Sequence, residues 1–176
     1  QAGDVVDAQG LFLLPGIIDD QVHFREPGLT HKGNMKSESA AAVAGGVTSF
    51  MEMPNVSPST TNAAALEHKF NLANLNSVAN YSFYIGATND NLEDLITVDA
   101  SKVCGIKVFM GPSTGNLLVD DHKALESIFS QAPILVATHC EDNRIISENL
   151  ALALKTYGDD IPSKEHAVIR DEEACF

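Results

Sequence analysis

Five side chains of chemically useful types lie at or near the ends of short apolar stretches of the sequence. His23 and Arg25 follow one such stretch, Asn55 follows a second, Lys107 lies inside a third and His139 ends a fourth. Two imidazoles carried by separate rigid elements are typical Zn²⁺ ligands. Arg25 with Asn55 suits a planar carboxylate, because a guanidinium can bind two oxygens at once. The sequence therefore predicts a metal site beside a carboxylate-binding site.

Lys107 is the unusual member of this set. The interior of a buried strand removes water from its ammonium group, and a nearby dication repels it, so both effects lower its pKa from about 10.4. A neutral amine can take up carbon dioxide with release of a proton, and the resulting carbamate is an anion that can bridge two metal ions. The sequence thus predicts a bridging role for Lys107. The alternative is a metal-free site in which Lys107 forms a Schiff base.

Other candidate residues have simpler interpretations. Four further histidines have polar neighbours and are predicted to be exposed without binding metal, namely His31, His68, His122 and His166. Cys140 is predicted to be a small buried side chain, although it follows His139 directly. The loop from Gly111 to Asn116 lacks the Gly-Lys-Ser/Thr ending of a nucleotide loop, so the pattern does not favour phosphate binding there.

The elements that must position these residues are predicted from the alternation of strand-like and helix-like patterns. Strand centres fall near residues 18, 50, 83, 107 and 136, the first being Ile17 to Val22, which we expect to be buried on both faces. Helices are predicted over residues 35–44, 62–75, 91–98, 121–129 and 145–155, and from Glu165 to the chain end at Phe176.

Right-handed crossovers between these strands give a parallel sheet, whose carboxyl ends gather the five side chains at one edge. Five βα units are too few for an eight-stranded barrel, which needs about 250 residues. Two architectures therefore remain open: a complete five-stranded open sheet, or the first part of a barrel.

Composition limits the classes of function. The chain has 11 Lys and Arg against 24 Asp and Glu, and a net charge of -13 argues against a nucleic-acid partner. No apolar run approaches the length needed to cross a bilayer, and the start at Gln1 is unlike a signal peptide. We therefore expect a cytoplasmic protein with no membrane partner, in which the three cysteines are reduced.

The motifs, taken in order, resemble those of dihydroorotases, which are cyclic amidohydrolases of the amidohydrolase superfamily. The matching stretches are Leu14 to Gly28, Ala41 to Thr48, Met53 to Asn55, Gly105 to Gly111 and Thr138 to Asp142. The resemblance implies an α/β fold, a metal-dependent (β/α)8 TIM-type barrel. Residues 15–176 would supply roughly its first five βα units, its C-terminal part would be absent, and residues 1–14 would end a small N-terminal β-domain.

The resemblance also implies an activity, the reversible zinc-dependent cyclisation of N-carbamoyl-L-aspartate to L-dihydroorotate in pyrimidine biosynthesis. By that likeness His23 and His139 would bind two zinc ions, and Lys107 would be the catalytic residue that bridges them as a carbamate derived from carbon dioxide. Arg25 and Asn55 would hold the carboxylate of this small-molecule substrate. Whether the protein forms a homo-oligomer stays open.

Gln21 departs from the family pattern. It stands where the first histidine of a His-x-His metal motif is expected, and an amide oxygen is a poorer zinc ligand than an imidazole. Either Gln21 binds weakly or one metal is loosely held. Two alternatives stay open: an allantoinase or hydantoinase-type cyclic amidohydrolase of the same superfamily, and a non-catalytic dihydroorotase-like homologue, which Gln21 motivates. Arg25, directly after His23-Phe24, favours dihydroorotase over the first.

Overall fold

The computed structural model describes residues 3–111 and 115–175. Its strands form one parallel sheet in chain order. They are β1 (Ile17–Val22), β2 (Val47–Glu52), β3 (Asn80–Gly86), β4 (Gly105–Phe109) and β5 (Val136–His139). The helices are α1 (Met35–Ala44), α2 (Ala63–Asn76), α3 (Leu92–Ile96), α4 (His122–Gln131), α5 (Asn143–Tyr157) and α6 (His166–Ile169). The predicted order of strands and helices is confirmed. Half of the Gly111 to Asn116 loop, residues 112–114, lies outside the described residues, as does Phe176.

Side-chain caps decide where the longer helices begin. Each has an Asn or Asp at its N-cap whose side chain accepts hydrogen bonds from free backbone N–H groups of the first turn. These residues are Asn34 for α1, Asn62 for α2, Asp121 for α4 and Asp142 for α5. Capping explains why these starts fall within a few residues of the positions predicted from sequence.

The long helix predicted from Glu165 onward is wrong. Between Ser163 and Cys175 the structure has only α6 and two single 3-10 turns. The backbone of Arg170 leaves the helical region at φ -112° and ψ 63°, and its side chain forms an ion pair with Glu141. A long-range contact therefore ends a helix that the local pattern would continue.

The core lies between the sheet and its helices, with an aromatic cluster at its centre. Phe50 packs against Phe24 with ring centroids 4.5 Å apart, and Phe70 meets Phe83 edge to face at 4.9 Å. Every residue of β4 is buried, as expected for a central parallel strand. Ile106 and Val108 of β4 belong to this core, so Lys107, which alternates with them along the strand, lies on the opposite face of the sheet together with Phe109.

The prediction that β1 is buried on both faces is wrong. Ile17 and Ile18 are 57% and 63% exposed. The reason is its position at the edge of the sheet, where it pairs only with β2 within the described residues. A run of β-branched residues indicates a strand, but it does not decide what covers that strand.

In the described part of the chain, no helix combines the length and apolar character required to span a membrane.

Candidate active site

The ends of β1 and β2 are joined so that two predicted site residues touch. The Met53 N–H donates to the Val22 carbonyl at 3.0 Å. The residues just beyond this bond, His23 and Asn55, then meet through a 2.8 Å hydrogen bond from His23 Nδ1 to Asn55 Oδ1. The structure thus brings together a candidate metal ligand and a candidate substrate-binding residue.

The turn after β1 carries Arg25 in a conformation rare for a side chain other than glycine, with φ at 70°. Its N–H donates to Glu52 Oε1 at 3.1 Å, which helps to hold this backbone in place. The guanidinium Nη1 lies 3.5 Å from the Asn55 carbonyl oxygen. A left-handed residue at such a position is frequently part of a functional site.

Gly28 lets this turn pack against the loop that follows β2. Its φ is 80°, and a Cβ there would lie 1.9 Å from the Ser57 carbonyl oxygen. The Ser57 N–H also donates to the Pro27 carbonyl at 3.1 Å. The Arg-Glu-Pro-Gly turn is therefore fixed against the same loop that carries Asn55.

A buried ion pair lies beneath this cluster, and the sequence reasoning missed it. Glu52 and Lys69 have fully buried side chains, with Lys69 Nζ 3.0 Å from Glu52 Oε2 and 2.8 Å from the Met53 carbonyl oxygen. Burial raises the pKa of Glu52 and lowers that of Lys69, because it opposes both charges more strongly than their attraction favours them. One signal was available: Lys69 lies on the helical face of Leu66 and Ala73.

Lys107 is buried, as predicted. It lies between Gly86 of β3 and Ala137 of β5 in the sheet register, and Nζ is 5.0 Å from the centroid of the Phe109 ring. Burial lowers the pKa of Lys107, which increases the fraction of neutral amine at a given pH.

His139 ends β5 with an accessible ring, one nitrogen of which is already engaged. Its Nε2 donates to Glu141 Oε2 at 2.6 Å. Arg170 forms an ion pair with the same carboxylate, including a 2.6 Å hydrogen bond from Nε to Oε1, and thereby lowers the pKa of Glu141. Gly111 leaves room for this arrangement, since a Cβ there would lie 2.9 Å from Glu141 Cβ and 3.1 Å from His139 Cδ2. Neither Glu141 nor Arg170 was singled out from the sequence.

The charges of neighbouring side chains and the burial of its ring change the pKa of His23. The pKa of His23 is lowered, chiefly because burial around the ring disfavours its charge, and also by the positive charges of Arg25 and Lys107. The ring nevertheless remains accessible to solvent. The rings of His139 and Phe109 lie 6.2 Å apart, so Lys107, Phe109 and His139 follow one another across the strand ends.

Other predicted residues lie apart from these contacts. Gln21 is exposed on β1, and its side chain forms no hydrogen bond with another described residue. The four remaining histidines are exposed, as predicted. Cys140 is exposed, so its prediction as a buried side chain is wrong; it lies past the last pairing of β5, where its Sγ donates to Thr138 Oγ1 at 3.0 Å.

The described residues supply only a mixed set of candidate metal donors. Across residues 3–111 and 115–175, no three His, Cys, Asp or Glu side chains form a group that could hold a metal. His23 Nε2 and His139 Nδ1 have no hydrogen-bond partner among those residues. Lys107, whose charge acts on His23, is the group that could become an anion. A metal here would therefore need Lys107 as a ligand, or donors beyond this set.

Comparisons with known proteins give relatives among enzymes that act on cyclic amides. No model of a protein family matches the chain. It is 34% identical over 152 residues to a dihydroorotase of Methanothermobacter thermautotrophicus, covering 85% of this chain and 34% of that protein. It is 35% identical over 160 residues to an allantoinase of Desulfitobacterium hafniense, covering 87% and 35%. The chain spans about a third of the length of the curated relatives it matches.

Among solved structures, an L-hydantoinase (dihydropyrimidinase) from Arthrobacter aurescens matches with a TM-score of 0.87 at 26% identity, covering 99% of this chain and 40% of that one. Together with the parallel sheet in chain order, this match defines a partial (β/α)8 barrel of the amidohydrolase class. Of the two architectures left open by the sequence, the barrel is confirmed. The chain belongs to the cyclic amidohydrolases, the family that contains dihydroorotases, allantoinases and hydantoinases.

Proposed function

We propose that the protein interconverts N-carbamoyl-L-aspartate and L-dihydroorotate, with this chain supplying the first part of the active site. The observation that carries the proposal is the contact of His23, Arg25 and Asn55 at one pair of strand ends. This contact places the Arg25 guanidinium and the Asn55 amide, which suit a substrate carboxylate, beside His23, a candidate metal ligand. The dihydroorotases among the relatives support the same substrate pair, and the reaction would belong to pyrimidine biosynthesis.

His23, Lys107 and His139 would hold two zinc ions, with Lys107 as a carbamate and Gln21 as a weak ligand at most. When bound, zinc lowers the pKa of a water ligand towards about 7 and polarises a carbonyl oxygen. Lys107 contributes through its burial, which favours the neutral amine that can react with carbon dioxide. Arg25 and Asn55 orient the substrate by holding its carboxylate.

The division of the chain into two parts, which the resemblance implies, is also part of this proposal. Residues 15–176 would form the first part of the barrel, and residues 1–14 would end a small β-domain. Exposed apolar side chains between residues 5 and 14 support this division, because a segment of that character is stable when another part of a protein covers it. The examples are Val5, Val6, Leu11, Phe12, Leu13 and Leu14.

The proposal is tested with the purified full protein in both directions of the reaction. We expect turnover of N-carbamoyl-L-aspartate and L-dihydroorotate, with allantoin and hydantoin processed at least 100-fold less efficiently. Preferential turnover of allantoin or hydantoin would instead identify the protein as an allantoinase or a hydantoinase. Arg25 favours the first outcome, since its guanidinium matches a substrate carboxylate.

Changing Lys107 to Ala tests the metal-bridging role. K107A removes the group that would become the carbamate, so we expect loss of at least one zinc ion per chain and a fall in turnover of more than 1,000-fold. Zinc content is measured by mass spectrometry beside the reaction rate. K102A, which removes an exposed lysine, is the matched control. Unchanged zinc content in K107A would contradict the proposal that Lys107 binds zinc as a carbamate.

A non-catalytic homologue is the second candidate, and Gln21 is the observation that favours it. An exposed amide in place of an imidazole weakens one metal position. A protein of this kind would be purified without stoichiometric zinc and would not turn over any of the four compounds. Zinc at one or two ions per chain would exclude it.

A further inference from the structure

Asn55 has two polar groups on its side chain, and the structure uses only one of them within the described residues. Oδ1 accepts the hydrogen bond from His23 Nδ1 at 2.8 Å, whereas Nδ2 has no acceptor within hydrogen-bond distance there. Because Oδ1 can only accept, the proton shared with His23 must be on Nδ1. The other ring nitrogen, Nε2, is then unprotonated and carries a free lone pair.

The backbone that leads into Asn55 is held by hydrogen bonds to neighbouring elements. The residue is 9% exposed and follows Met53 and Pro54, whose backbone groups are all engaged. The Met53 carbonyl accepts from Lys69, its N–H donates to Val22, and the Pro54 carbonyl accepts from Thr60 at 3.0 Å. The backbone position of Asn55 is therefore fixed, and its side chain is oriented by the hydrogen bond with His23.

We propose that Asn55 is a positioning residue for His23: its side-chain carbonyl fixes the Nδ1–H tautomer and so presents Nε2 to a metal ion, while its amide nitrogen stays available to the substrate carboxylate. A histidine side chain in water prefers the proton on Nε2, the form that cannot bind metal through that nitrogen. Asn55 reverses this preference. The inference rests on the proposed function and adds a second role to a residue assigned only to substrate.

The test reads the tautomer directly in the full protein freed of metal. Ring ¹⁵N NMR shifts of His23 are recorded at about pH 8, where an ordinary imidazole is neutral. We expect a protonated Nδ1 and an unprotonated Nε2 in the wild type. Exposed His31 serves as the internal reference for an unconstrained ring. A wild-type His23 protonated on Nε2 would overturn the inference without any variant.

Two variants separate the two roles of Asn55. N55D keeps an acceptor for His23 Nδ1 but loses the amide donor, so we expect the tautomer to stay, zinc affinity to remain within a few-fold, and KM to rise more than tenfold. N55A loses both groups, so we expect the proton to move to Nε2 and zinc affinity to fall by about 10–100-fold. An unchanged tautomer in N55A, or an Nε2 proton in N55D, would refute the positioning role.

Failure of this inference differs from failure of the proposed function. Turnover of L-dihydroorotate with His23 protonated on Nε2 would reject the positioning role alone. The Nδ1–H tautomer in a protein that turns over none of the tested substrates would reject the proposed function alone.

Discussion

At the scale of single residues, both candidate histidine ligands have one ring nitrogen in a hydrogen bond and one without a partner in the described part of the chain. Asn55 occupies Nδ1 of His23, and Glu141 occupies Nε2 of His139. Hydrogen-bonded partners of this kind orient metal-binding histidines and fix their tautomers. The two rings would therefore present different nitrogens, Nε2 from His23 and Nδ1 from His139.

The pair of Glu141 and Arg170 gives a pH-dependent prediction. Arg170 lowers the pKa of Glu141 below its ordinary value of 4.5, so the pair's contribution to stability is complete above that pH and is lost as the pH falls through the lower folded-state value. R170Q should lower Tm by about 2–4 °C at neutral pH. We expect this difference from the wild type to shrink steadily below about pH 4.5.

Thermal unfolding between pH 7 and pH 3 measures the effect. R144Q is the matched control, because Arg144 pairs with Glu148 on the surface, with side chains 70% and 63% exposed, and such pairs contribute little. A difference between R170Q and the wild type that does not change with pH would show that Arg170 acts through packing alone.

At the scale of elements, the buried pair of Glu52 and Lys69 joins α2 to the strand ends that carry the site. Glu52 accepts the N–H of Arg25, and Lys69 donates to Met53 next to the Asn55 loop. The Lys69 ammonium also lies 5.0 Å from the centroid of the Phe83 ring. The pair therefore links helix, core and site in one network.

K69M tests this network. It leaves the Glu52 carboxylate buried without its cation, so we expect a loss of about 3–5 kcal/mol in the free energy of unfolding, measured with denaturant. The double variant K69M/E52L removes both charges and should recover much of the loss. K102M, which breaks an exposed pair with Asp99, should cost less than about 1 kcal/mol. Equal losses in K69M and K102M would contradict the role of the buried pair.

At the scale of the whole molecule, the described sheet has two outer strands, β1 and β5. Exposed apolar side chains lie on or next to both of them. Ile17 and Ile18 on β1 are largely exposed, as is Leu135 just before β5. Unpaired strand edges with apolar side chains are sites of self-association. These surfaces are those that a closed barrel would cover.

We therefore expect the 176-residue polypeptide by itself to self-associate at micromolar concentrations. Sedimentation velocity measures this, and I18K should shift the distribution towards monomer because a charge on an edge strand opposes pairing. V168K changes an equally exposed apolar residue on α6 and should have no such effect. A monomeric wild-type polypeptide would show that these edges do not drive association.

The sequence by itself determined the order of strands and helices, the burial of Lys107 and the delivery of His23, Arg25, Asn55 and His139 to one end of the strands. These features follow from patterns within about ten residues: apolar runs, Asn and Asp caps, and glycine or proline at turns. The prediction of a long final helix was wrong because the local pattern contains no information about the contact between Arg170 and Glu141.

Only the tertiary structure decided which side chains touch. His23 and Asn55 are 32 residues apart in the chain, and Glu141 and Arg170 are 29 apart. Such contacts depend on strand register and on turns such as that at Arg25, where a left-handed backbone redirects the chain. The exposure of β1 and Cys140 was likewise set by position in the sheet. Residue type limits what a side chain can do, but packing between distant segments fixes which of its atoms remain free to do it.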